Sequence, residues 1–290
     1  MEIIKIGVPE IFSFTSTIFS HGWVDLPPFE YDRQEGLLRY YILENPERET
    51  DMAIKFHRTN YLQIISANGL QGTIEKTVSR IFRLDSDYSE FYRLVEKIPK
   101  HSWIIEKAAG RLLCCGSLWE DMVKMICTTN CNWTMTRKMI TNLVEKLSSG
   151  KSFPLPQMVA GRSEKFLREE VRLGYRSAYI LKLARDIVSG AMDLNSFENS
   201  ADNESDLYSR LLKIHGIGPY AAGNLLKLLG YYRHPAPDSW SRKKFMQIYG
   251  FKELPTDSDI IKHYEGYGAW AGLIFWLEMT EEWYANMVFS

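Results

Sequence analysis

Residues 211–240, LLKIHGIGPYAAGNLLKLLGYYRHPAPDSW, restrict the fold more than any other part of the chain. Apolar residues three and four apart predict one helix ending near Ile214 and a second over residues 220–229. Only His215, Gly216, Ile217 and Gly218 separate them. Pro219 stands where the second helix opens, a position at which its missing N–H is no loss. Two helices joined this tightly must fold back on each other as a hairpin. Glycines at 216 and 218 permit positive φ and a close approach by another molecule's backbone. Amides at such a helix start favour an anion such as phosphate, because their N–H groups are free and the helix dipole is positive there. A turn used only for packing reads the same way, so the surroundings must decide.

Those surroundings are basic. Between residues 207 and 250 stand Arg210, Lys213, Lys227, Arg233, Arg242, Lys243 and Lys244 against one acid, Asp238. The whole chain carries a formal charge of -1, so this concentration is a local electrostatic footprint of the kind a polyanion meets. Asp238 follows Gly218 by 20 residues, within HPAPDSW, directly before a further helical pattern. Ahead of Ser239, Trp240 and Ser241 it is a good N-cap. Capping is compatible with chemistry. Hydrolysis of a base–sugar bond passes through an oxocarbenium-like sugar, and a fixed carboxylate can stabilise that cation and orient or deprotonate the attacking water.

The remainder of the 290 residues reads as a soluble α+β chain, 45% hydrophobic and 24% charged. Residues 1–100 form one expected domain, β-rich and carrying an antiparallel sheet. Residues 37–43 are a short apolar run, Met52, Ile54 and Phe56 alternate with polar neighbours, and residues 61–66 follow after a turn. Residues 101–290 form a second, helical domain with its hairpin at 207–230; helical spacing recurs over 119–127, 134–147, 164–173, 178–189, 239–249 and 270–279. The turn-rich stretches 148–156 and 194–206 read as surface connections. The four cysteines, Cys114, Cys115, Cys127 and Cys131, have neither metal-ligand spacing nor the density of a disulfide framework. No run approaches the roughly 18 apolar residues of a membrane span. The N-terminus lacks the pattern of a secretory signal, so an intracellular protein of cytoplasm, nucleoid or nucleus is expected.

The hairpin followed by an Asp after a Pro-containing link resembles the helix-hairpin-helix Gly/Pro-Asp superfamily of DNA glycosylases. The resemblance extends to residues 110–113 (GRLL), Trp119-Glu120 and 127–133 (CTTNCNW), similar to the segment with which 8-oxoguanine glycosylases insert an Asn into the gap left by a flipped base. Residues 174–180 (GYRSAYI) resemble the segment whose Tyr and Arg wedge and grip the opposite strand. His21-Gly22-Trp23 and residues 26–29 (LPPF) are similar to the leading, TBP-like β-rich domain of the alkylpurine and oxoguanine branches. The family implies Asp238 as catalytic carboxylate and His215, Gly216, Ile217, Gly218 and Pro219 as the DNA-binding hairpin. It further implies Asn130, Asn132, Tyr175 and Arg176 at the opposite strand, and a monovalent cation, Na+ or K+, on the carbonyls of His215 and Ile217. The partner it implies is double-stranded DNA with a damaged base, bound by a monomer.

Two departures from the family pattern carry weight. Bifunctional oxoguanine enzymes place a Lys two positions after the second hairpin glycine; here that residue is Tyr220, which cannot form a Schiff base. Base removal without β-lyase cleavage is therefore expected, and Lys213 and Lys227 are expected on a helix surface. No cysteine follows Cys131, so no iron–sulfur cluster and no further cofactor is expected. Trp23, Phe29, Trp133, Tyr220, Trp240, Trp270 and Trp276 are the aromatic candidates for the base pocket, with Trp133, Tyr220 and Trp240 foremost. An electron-rich pocket favours a cationic alkylated purine. The alternatives are oxidised guanine, a mismatched or deaminated base, or a DNA-binding protein that uses the hairpin as a clamp without catalysis.

Overall fold

In the computed structural model the residues described are 2–67, 69–148, 150–200 and 203–285. Expectations touching Ser149, Ala201, Asp202 or residues 286–290 lie outside them. The first third of the chain builds an antiparallel sheet from β1 (Glu2–Gly7), β2 (Glu30–Asp32), β3 (Leu37–Asn45), β4 (Arg48–His57) and β5 (Tyr61–Ser66), in the order β1-β5-β4-β3-β2. Alternation decides which face is buried: Leu62 and Ile64 on β5, Met52 and Ile54 on β4, and Leu38 and Tyr40 on β3 point inward. The pairings Ile54 with Ile64 and Leu38 with Ile54 keep these apolar residues in register.

Helices supply the rest. α1 (Phe14–Ile18) precedes β2. α2 (Gln71–Phe82), α3 (Ser89–Val95) and α4 (Ser102–Glu106) follow the sheet, and α2 buries Ile74, Val78 and Ile81. Beyond them come α5 (Leu118–Thr128), α6 (Trp133–Leu147), α7 (Pro156–Ala160), α8 (Glu164–Glu169), α9 (Arg176–Val188) and α10 (Asn195–Glu198). The last group is α11 (Glu204–Leu212), α12 (Pro219–Leu229), α13 (Ser239–Tyr249), α14 (Asp257–Tyr264) and α15 (Ala271–Ala285). The architecture is α+β, an N-terminal five-stranded antiparallel sheet followed by a mostly helical region.

A buried polar seam joins the sheet to α5. The Tyr40 hydroxyl donates to Glu120 at 2.5 Å, Glu120 pairs with Lys124 at 2.7 Å, and Arg80 on α2 pairs with Asp121 at 2.9 Å. Charges removed from water this far are tolerated only when paired, and these are. Asp121 also accepts from the Trp23 indole at 2.9 Å, which orients that ring.

Three expectations need correction. The helical pattern over 164–173 stops at Glu169; Arg172 takes φ 64, and Val171 and Leu173 reach the core from a turn. The polar stretch 194–206 contains α10, whose Phe197 is buried, and stretch 148–156 buries Phe153. One apolar anchor in each polar run was enough to tie it to the core. Before α3, Asp87 Oδ1 accepts from the Ser89 amide and hydroxyl at 2.8 and 2.6 Å.

Candidate active site

The hairpin forms as its residues dictate. α11 ends at Leu212, Gly218 is the N-cap of α12, and Pro219 is its first residue. The two glycines do different work. Gly216 takes φ 93, and a Cβ there would lie 2.6 Å from the Tyr179 ring, so both conformation and space require glycine. Gly218 has ordinary φ and nothing within 4 Å of where a Cβ would be, so it leaves open space in front of the turn. The amides of Gly218, Tyr220 and Ala221 find no acceptor among the described residues. The His215 and Ile217 carbonyl oxygens likewise accept no hydrogen bond among them, a donor set suited to a monovalent cation.

Behind the hairpin lies a cleft of about 820 Å³. One wall comes from α12, whose residues 220, 224 and 227 recur at helical spacing and present Tyr220, Asn224 and Lys227 to it. Five indoles contribute to the lining: Trp23, Trp133, Trp240, Trp276 and Trp283. Trp240 stacks on Trp283 with centroids 5.7 Å apart, Trp276 stands edge-on to Trp283, and its own N–H is held by the Ser20 carbonyl at 2.9 Å. Trp133 and Trp240 remain 37% and 39% exposed, so aromatic faces are open to an entering ligand. Phe29 and Trp270, expected as candidates, line no part of the cleft: Phe29 packs on Tyr40, and Trp270 stacks on Tyr232.

Asp238 borders the same cleft as the N-cap of α13. Its Oδ1 accepts from the Ser241 amide and the Ser241 hydroxyl, both at 2.7 Å, while Oδ2 has no partner among the described residues. One oxygen therefore fixes the group and the other faces outward. Burial raises the Tyr220 phenol to about 12, with the Asp238 charge adding to the effect. Across the cleft, burial lowers the His21 imidazole to about 4 although its ring nitrogen meets the Leu113 carbonyl at 2.7 Å, so it is neutral near pH 7.

At the rim, residues far apart in sequence meet. Asn130, exposed and at φ 50, donates to the Tyr175 hydroxyl at 3.4 Å, and Tyr175 is 43% exposed. Their partners behave otherwise than expected. Arg176 is only 6% exposed; its guanidinium lies under Tyr175 and donates to the Thr129 carbonyl, which follows α5. It braces the Asn130 turn from inside. Asn132 is the N-cap of α6, its side chain accepting from the Met135 amide at 2.9 Å.

Comparison with known proteins places this geometry. No family model matches. A Bacillus subtilis protein provisionally assigned as a DNA-3-methyladenine glycosylase, YfjP, is 23% identical over 73% of this chain and 77% of its own length. The N-glycosylase/DNA lyase of Saccharomyces cerevisiae is 22% identical over 53% of this chain, which spans about half of that protein, 46%. The 8-oxoguanine glycosylase/lyase of Clostridium acetobutylicum superposes with a TM-score of 0.74 at 19% identity, covering 96% of each chain. The 3-methyladenine DNA-glycosylase of Archaeoglobus fulgidus superposes with 0.75 at 16%, covering 97% of this chain and 99% of its own. The fold of the chain is thus the fold of these 3-methyladenine and 8-oxoguanine glycosylases.

Lys227 also departs from its expected place. Lys227 is not on a helix surface; it is 2% exposed, between the buried Leu226 and Leu228. Burial lowers its ammonium to about 7, against the raising influence of the Glu204 carboxylate. It shares a helix face with Tyr220 and Asn224, but helical spacing alone does not tell a buried face from an exposed one. The basic footprint is correspondingly smaller: Arg242 pairs with Asp257, Lys244 with Glu282, and the half-buried Arg210 turns to Ser196 and Phe197, leaving Lys213, Arg233 and Lys243 as exposed members.

Proposed function

We propose that this chain is a monofunctional DNA glycosylase of base excision repair, acting first on alkylated purines. The observation that carries the proposal is one cleft uniting five tryptophans, the outward oxygen of Asp238, and Tyr220 where lyases of this fold carry their lysine. The target base is stacked inside the duplex and must be extruded to be reached. The hairpin amides and the carbonyls of His215 and Ile217, which would hold a monovalent cation there, engage the backbone. Tyr175 and Asn130 fill the gap left behind. The flipped base stacks among the indoles. An alkylated purine arrives cationic, so the ring faces attract it and it leaves without a strong acid. Asp238 Oδ2 then faces the sugar, stabilising the oxocarbenium-like cation and orienting water onto C1′. The products are a free base and an abasic site in an intact strand.

Oxidised guanine is the second reading, supported by the near-complete overlap with the clostridial enzyme. A panel of duplexes, each with one lesion, treated with protein and then hot alkali tests both. Breaks only after alkali support the monofunctional reading. Breaks before alkali overturn it, and no breaks on any duplex overturn the glycosylase assignment.

A further inference from the structure

The chain between α12 and α13, residues 230–238, delivers Asp238 to the cleft without belonging to either helix. It runs pressed between two helices. A Cβ at Gly223 on α12 would lie 2.6 Å from Ala236 Cβ, and one at Gly272 on α15 would collide with the His234 carbonyl. The Gly272 amide donates to Tyr232 O at 2.6 Å, and the Arg233 amide donates to Glu204 at 3.0 Å. Ala236 takes φ 53, an unfavourable region for a residue with a Cβ, so something must hold the link there. Lys227 is placed to do so. Its Nζ reaches Pro235 O at 3.0 Å, Asn224 Oδ1 at 3.3 Å and Gly223 O at 3.4 Å. Asn224 in turn donates to Tyr220 O at 2.9 Å, so a continuous set of bonds runs from the hairpin helix to a point three residues before Asp238.

We propose that Lys227 is a positioning residue for Asp238, its ammonium tying the Pro235 carbonyl to α12 and so aiming the carboxylate at the cleft. This rests on the glycosylase reading of the site. Three acceptors surround Nζ, an ammonium has three hydrogens, and a neutral amine has two. Losing the proton therefore releases one of the three bonds. Burial brings that loss to about pH 7.

Other ionisable groups lie near Nζ or line the same cleft. Burial lowers His234, with Lys227 and Arg233 adding to it, and raises Glu204. Tyr220 stands at about 12, and His21 across the cleft at about 4. Asp238, Asp25, Arg33 and Cys131 complete the ionisable lining, and α15 presents only the uncharged Trp276 and Trp283 to the cleft.

The test is a pH profile of single-turnover excision for the wild type, Lys227→Met and Glu204→Gln. Wild-type turnover should fall about three- to tenfold as pH rises through about 7, with KM little changed. Lys227→Met should be slow at every pH and lack that limb. Glu204→Gln keeps an acceptor for the Arg233 amide but removes a charge that supports the ammonium, so its limb should move to lower pH. A wild-type profile in Lys227→Met, or loss of the limb in Glu204→Gln, overturns the proposal. Hydrogen exchange of the amides of residues 231–238, normalised for the intrinsic rate, separates this from the function. Wild-type protection should fall through the same pH range whether or not any duplex is cut, and unchanged protection overturns the positioning role by itself.

Discussion

In the proposed reaction Asp238 divides two duties between two oxygens, and that division makes its substitution informative. Asparagine keeps an oxygen for the Ser241 amide and hydroxyl, so Asp238→Asn should fold with a Tm within about 2 °C of the wild type. It lacks the charge that faces the sugar, so excision should drop by about 10²- to 10⁴-fold while an abasic duplex is still bound. Single-turnover rates and anisotropy check both halves; retained excision sinks the catalytic assignment. Asp238 and Tyr220 could be found in the sequence because each stands at a countable distance from two glycines. Lys227 and Arg176 could not. A lone cation in LLKLLG reads as the polar edge of an apolar helix, and nothing local reveals that a link crosses over it. Arg176 beside an exposed Tyr reads as exposed too, although the carbonyl that turns it inward belongs to a residue 47 positions away.

At the scale of elements, punctuation governs what can be read. β5 and α13 begin and end where turn residues and caps bracket a clean period, and their bounds coincide with the expected ones. α14 was missed, since the Thr256–Asp259 capping box that starts it precedes only eight helical residues. The hairpin offers a paired prediction. Gly216→Ala should cost about 1–2 kcal/mol through its positive φ alone, with the Tyr179 contact adding to it, as read by denaturant unfolding. Gly218→Ala should change stability by no more than about 0.5 kcal/mol, because its Cβ meets nothing, yet weaken duplex binding roughly tenfold by filling the space before the amides. Equal effects at both positions would make the turn a packing device. α15 carries a second test. Burial alone would raise Glu278, but donors from His101, Lys100, Tyr249 and Tyr264 hold it at about 2. A depressed carboxylate stabilises the fold above its unfolded value of 4.5 and loses that contribution as pH falls toward 2. Glu278→Gln should therefore lower stability near pH 7 by on the order of 2–3 kcal/mol and flatten the decline of Tm below about pH 4.5. Parallel Tm curves for the two proteins would deny Glu278 that role.

Over the whole molecule, charge decides how DNA would be met in the proposed function. A net charge of -1 gives no long-range pull toward a polyanion, so attraction must come from the hairpin face. That face is weaker than the run of seven cations suggests, because the fold buries Lys227, turns Arg210 to Ser196 and Phe197, and gives Arg242 and Lys244 carboxylate partners. Sequence shows how many cations a stretch holds; only the fold shows which of them still face solvent. With Lys213, Arg233 and Lys243 exposed beside amides that carry no net charge, few counterions are released on binding. The logarithm of affinity should then fall against the logarithm of salt with a slope of about -3, from roughly 0.9 per neutralised phosphate. Lys213→Ala should make that slope shallower by about 1 and weaken binding equally for damaged and undamaged duplexes, since it contacts backbone and reads no base. Anisotropy titrations over a salt series measure both quantities. A slope of about -6 or steeper would move the principal phosphate contacts away from the hairpin, onto a face whose cations this site does not include.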